Sequence, residues 1–155
     1  MRIGIVGAGI AGLACADGLA GRGHEVVLFD KGRGPGGRMS TRRMETSEGL
    51  AHFDHGAQYF TLRDNAFQAQ VNAWIAAGIA APWPAAGSDA YVGVPGMNAP
   101  VRDLASRHVV HWATRVTAVQ RRDDGWRLNG KGPDAGEFHD VDALVIGGWA
   151  CAATG

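Results

Sequence analysis

Four stretches of the chain are apolar too continuously to be half-exposed strands. "RIGIVG" from Arg2, "HEVVLFD" from His24 and "VDALVIGG" from Val141 end at glycine or an acid, and "HVVHW" from His108 is a shorter run. Continuous runs of this length suit strands buried on both faces of a parallel sheet. Between the first two lies "IAGLACADGLAGRG", an alanine-rich helix closed by Gly21 and Gly23. Strand, helix and strand make a βαβ unit. Residues 31–49 read as a glycine-basic loop with a polar connector, and "LAHFDHGAQYFT" as extended only in parts. From Asp64 the period changes: Phe67, Val71, Trp74 and Ile75 fall on one helical face, with Asp64 placed to cap the start and Gly78 the end. "APWPAAGSDAYVGVPG" reads as an irregular Pro/Gly excursion. Asn98 is placed to cap a helix running to about Ser106, with Pro100 in its first turn. "RVTAVQRRDDGWRLN" is a hairpin with Asp124-Gly125 as the turn, and "GEFHD" adds a third strand.

The expected fold is α/β: a Rossmann-type domain over 1–148, its mainly parallel sheet carrying a β-meander insertion and a helical excursion at about 62–107. A length of 155 residues and 46% hydrophobic content suit one soluble domain. Lys+Arg and Asp+Glu are equal at 15 each, which argues against a nucleic-acid partner. No run is long enough for a membrane span. Cys15 and Cys151 make neither a disulfide framework nor a metal pair, so a reducing, cytoplasmic setting is expected.

The first strand delivers Gly7-Ala8-Gly9-Ile10-Ala11-Gly12, a GxGxxG. Gly7 allows the tight turn, Gly9 lets a pyrophosphate approach the backbone, and Gly12 lets helix and strand pack closely. The amides at Ile10, Ala11 and Gly12 open a helix whose N-terminus favours anions. Asp30, with Lys31 behind it, ends the second strand eighteen residues beyond Gly12. That is near the spacing at which an acid meets the ribose hydroxyls of a dinucleotide.

This fingerprint alone does not separate NAD from FAD. The next segment does: Gly36-Gly37-Arg38 with Ser40-Thr41 behind it, inside the basic stretch "KGRGPGGRMSTRR". Gly36-Gly37 permits a second backbone approach, and Arg38 supplies a fixed cation for a pyrophosphate. GxGxxG, an acid and then GGRxxT resemble the flavin-containing amine oxidase-like proteins. "DKGRGPGGRMSTRR" with "FDHGAQYFT" looks most like their renalase-like branch, and "VGVPGMNAPVRDLA" is also similar. The resemblance runs to about Gly147. It implies FAD as cofactor, with its pyrophosphate between the two glycine loops. It also implies Gly56-Ala57-Gln58 against the flavin ring, Tyr59 near a substrate cavity, and Val116 meeting the adenine through its backbone. The implied activity is hydride transfer from a small reduced substrate, an isomeric dihydronicotinamide dinucleotide, with oxygen as acceptor.

The cofactor-binding candidates are therefore Gly7, Gly9, Ile10, Ala11, Gly12, Asp30, Lys31, Gly37, Arg38, Gly56, Ala57, Gln58 and Val116. No catalytic residue is assigned. His55 stands as an alternative general base. His52, Asp54 and His55 lack the spacing of a zinc site, so no metal is expected. An amine oxidase on the same scaffold, or a nonenzymatic dinucleotide-binding fragment, are the other readings. "GGWACAATG" departs from the family pattern, so 149–155 is expected to be an atypical truncated tail with the substrate domain largely missing, and the short chain is expected to bind FAD weakly and not to turn over.

Overall fold

A computed structural model describes residues 1–133 and 138–147, and the chain divides into two compact units: residues 1–35 with 104–155, and residues 36–103. The expected tail over 149–155 lies outside the described residues.

The first unit is built on β1 (Arg2–Val6), α1 (Ile10–Ala20) and β2 (Glu25–Phe29). Gly23 at φ 81 turns the chain from helix to second strand. The parallel sheet is completed in the first unit by β8 (Val109–His111) and β12 (Ala143–Ile146), in the order β12-β1-β2-β8. Register pairs Ile5 with Leu28 and Val6 with Phe29, so alternate residues serve two layers. Ile5 and Leu28 are fully buried on the face that meets α1, whose own buried residues are Gly12, Leu13 and Ala16. Val27 and Phe29 face the other way, into a cluster with Leu128 and Val141.

Those last two belong to a meander of β9 (Arg115–Arg122), β10 (Gly125–Lys131) and β11 (Phe138–Val141). Gly4 lets the meander close in: a methyl there would lie 3.2 Å from the Val141 side chain. The hairpin is where the sequence places it, but Arg122 pairs with Gly125, so the turn is Asp123-Asp124, one residue earlier than expected.

The second unit holds more sheet than the sequence suggests. Residues 31–49 were expected to be loop and polar connector; instead β3 (Thr41–Thr46) and β4 (Gly49–Asp54) form an antiparallel hairpin. Both strands are largely exposed, so no buried face imposes an alternation on their sequence. The irregular excursion at 81–96 also carries strands: β7 (Ala90–Gly93) pairs with β6 (Ala80–Pro82) on one side and with β5 (Phe60–Thr61) on the other. α2 (Asn65–Ala76) begins as expected, with the Asp64 carboxylate accepting from the amides of Ala66 (2.7 Å) and Phe67 (3.1 Å). Its buried Trp74 meets Phe60 and Phe67 edge-on or tilted and donates its indole N–H to Asp103. α3 (Ala99–Ala105) follows.

Candidate dinucleotide-binding loops

The first loop joins β1 to α1. Gly7 sits at φ 104, a conformation that side chains rarely adopt, and its amide donates to the Phe29 carbonyl at 2.8 Å. Gly12 is fixed by packing: a methyl there would fall 1.9 Å from the Gly7 carbonyl oxygen. Gly9 is different. Its backbone (φ −77, ψ 179) suits any residue, and a methyl would meet no heavy atom within 4 Å. No side chain caps α1, and its first turn carries no acid. The helix therefore opens with backbone N–H groups and positive dipole uncompensated by side chains.

Asp30 is bound from two sides. Oδ2 accepts the Ala8 amide at 2.7 Å, and Oδ1 accepts the Gly32 amide at 2.6 Å. The backbone of Asp30 is also held, its N–H donating to His111 and its carbonyl accepting from Thr114. The carboxylate so staples the glycine loop to the segment after β2. Each oxygen keeps a further lone pair for a hydroxyl donor. Sequence reasoning missed this staple, although Asp30-Lys31-Gly32 carries its signal: an Asp whose side chain accepts from the amide two residues on. Lys31 is exposed. Val116 packs against the Val27, Phe29, Leu128 and Val141 cluster and is paired with Gly130 in the meander.

The second loop lies in the other unit. Gly37–Met39 form one 3-10 turn. Gly37 has φ 55, and a methyl on Gly36 would come within 2.8 Å of Ser40 Cβ. The structure brings this turn to the candidate segment 56–58: the Ala57 amide donates to the Arg38 carbonyl at 2.8 Å, and a methyl on Gly56 would overlap that same oxygen. These glycines let the loop fold on itself. The Arg38 guanidinium is exposed and has no hydrogen-bonding or ion-pair partner among the described residues; Gln58 is exposed as well. The Asp54 carboxylate accepts from the Thr41 hydroxyl and the Met97 amide, and His55 Nε2 lies 3.2 Å from Ser40 Oγ. Among the described residues no group of three or more His, Cys, Asp or Glu is placed to hold a metal ion, and no helix is long and apolar enough to cross a membrane.

Residues 5–74 match the family model of the NAD(P)-binding Rossmann-like domain. The chain is similar to a 4,4'-diapophytoene desaturase (4,4'-diaponeurosporene-forming) of Staphylococcus aureus (strain Newman). The two are 50% identical over 40 residues, which is 26% of this chain and 8% of that protein. Among solved structures it is similar to the tetracycline destructase Tet(51), with a TM-score of 0.60 and 15% identity over 94% of this chain and 38% of that one. It is also similar to the 2,6-dihydroxypyridine-3-hydroxylase of Arthrobacter nicotinovorans, with a TM-score of 0.57 and 11% identity over 92% and 35%. The chain thus spans under a tenth of the curated relative's length and well under half of each of these two structures. At such identities the structural likeness bears on fold alone. Strand order and glycine loop together identify a Rossmann-like fold of the α/β class, and the family match covers its first half.

Proposed function

We propose that this chain is the dinucleotide-binding part of an FAD-dependent oxidoreductase similar to the renalase-like proteins. It would accept a hydride from a reduced small molecule, an isomeric dihydronicotinamide dinucleotide, and pass the electrons to oxygen. The observation that carries the reading is Gly9. Neither its dihedral angles nor its neighbours call for glycine, so the open space above it has its reason in a ligand that must touch the backbone there.

The residues present fit such a group. Ile10, Ala11 and Gly12 offer amides at an uncapped helix start for a pyrophosphate. Asp30, held still by Ala8 and Gly32, retains acceptor capacity for ribose hydroxyls. Arg38 offers an unpaired cation for a second phosphate contact, and it is this residue, presented by the turn that Gly36-Gly37 allow, that favours FAD over NAD. Gln58 is free to donate or accept at the edge of the isoalloxazine, beside Gly56 and Ala57. Val116 offers backbone groups to adenine. FAD supplies, when bound, a two-electron acceptor that takes hydride and returns electrons to oxygen. The name of the desaturase describes a change of oxidation level, which supports a redox reading.

Titration of FAD and NAD into the purified chain tests the cofactor: tighter FAD binding is expected, and tighter NAD binding would overturn it. Rapid mixing of an intact, flavin-loaded homologue of this sequence with dihydronicotinamide isomers should bleach the flavin. Bleaching by simple amines alone would favour an amine oxidase instead.

A further inference from the structure

The second unit carries a feature that the dinucleotide reading does not use. A depression of about 30 Å³ is lined by Thr41 and Arg43 of β3, His52 of β4, Gly96 and Asn98 of the following loop, and Arg102 of α3. Arg43 and His52 are directly opposed across the hairpin. None of Arg43, His52 and Arg102 has a carboxylate partner among the described residues. Two guanidinium groups gathered with no ion-pair partner repel one another and do nothing for the fold, and the one nearby carboxylate, Asp54, is occupied by the Thr41 hydroxyl and the Met97 amide.

The floor of the depression is closed. The Thr41 hydroxyl donates to Asp54 and accepts from the Asn98 amide, while the Met97 amide donates to Asp54 at 3.0 Å. A methyl on Gly96 would lie 2.9 Å from Thr41 Oγ1, so the loop is seated tightly on the hairpin. The free donors are then the two guanidinium groups, the imidazole and the Asn98 side-chain amide. All are donors of the kind that surround a small oxyanion. The depression is small and open to solvent, so it suits a small ion held at its mouth, and two arginines balance a dianion better than a carboxylate. We infer that this depression is a phosphate site, taking a phosphate monoester group or free phosphate. The inference does not rest on the flavin reading, since its residues all lie in the 36–103 unit.

The test follows the His52 ring resonances by NMR in the full chain, at fixed pH and ionic strength. Inorganic phosphate, glycerol phosphate and acetate are titrated separately. A saturable shift with phosphate or glycerol phosphate, and none with acetate, is expected. Tighter binding of glycerol phosphate marks an ester as the ligand, and tighter binding of inorganic phosphate marks the free ion. Arg43→Gln and Arg102→Gln should each weaken binding roughly tenfold to a hundredfold. Arg63→Gln, whose arginine pairs with Asp89, should leave it unchanged. Both tested arginines are exposed, and an unaltered spectrum elsewhere verifies the fold. A non-saturating shift, an equal response to acetate, or wild-type affinity in the two glutamine variants would overturn the site and leave two solvated surface arginines beside an imidazole.

Discussion

The two glycine loops look alike in sequence and differ in why they contain glycine. In the first, Gly7 is required by a positive φ and Gly12 by a backbone carbonyl where a side chain would begin, but Gly9 is required by nothing among the described residues. In the second, Gly36, Gly37 and Gly56 are all accounted for by the loop folding on itself, and the residue without an internal reason is Arg38. The difference teaches where to look for a ligand. Residues that the fold needs say little about binding. Residues that the fold could replace at no cost, in the middle of those that it could not, say more.

The sharpest way to break this comparison is to substitute the glycines that the fold needs. Gly12→Ala and Gly56→Ala each drive a methyl into backbone oxygen, so each should lower stability by about 3 kcal/mol or more, read from denaturant melts. Near-native stability in either would show that the loops relax easily. Arg38→Ala should leave the melt unchanged and weaken FAD binding by about 1.5–3 kcal/mol, roughly ten- to a hundredfold. An unchanged FAD affinity would remove Arg38 from the site. Asp30→Asn should act on both sides, since one of the two amides held by the carboxylate would face an NH₂ group. A loss of about 1–3 kcal/mol in stability is expected along with weaker nucleotide binding; a loss of binding alone would show that the staple is unimportant.

The smallest effect belongs to a pair in neither loop. Arg127 of β10 and Asp140 of β11 form a bidentate pair at 2.6 and 2.7 Å, and the Arg127 hydrogen bond holds the Asp140 carboxyl below the ordinary aspartate range. A lowered folded-state pKa gives stability that is present above the ordinary aspartate range and lost as pH falls through the lowered value. Both groups are exposed to solvent, so the effect is slight. Arg127→Gln should flatten the acid limb of the stability-pH curve without touching FAD affinity. A steepened limb would contradict the assignment.

Much of the first unit, and α2 of the second, was legible because the signals are local or are imposed by burial. β1, β2 and β12 announce themselves by continuous apolar runs, α1 by its closing glycines, and α2 by the Asp64 cap. The β3–β4 hairpin was not legible, because strands exposed on both faces carry no alternation. The short β6 and β7 were hidden by alanine, proline and glycine, which are poor strand formers held by pairing and not by propensity. The candidate glycines and Asp30 could be named from spacing. What could not be read was the set of long-range bonds that fixes them, such as Ala8 to Asp30 or Met97 to Asp54, because partners 22 and 43 residues apart leave no local pattern.

Gly9→Ala tests the central claim most directly. The backbone there accepts alanine, and the methyl would enter open space. Stability should be unchanged or raised by up to about 1 kcal/mol, because alanine narrows the unfolded ensemble. FAD affinity, measured by titration on the same preparation, should fall at least tenfold. Full FAD affinity in a stably folded Gly9→Ala protein would contradict the account, since the space above Gly9 would then have no ligand to explain it.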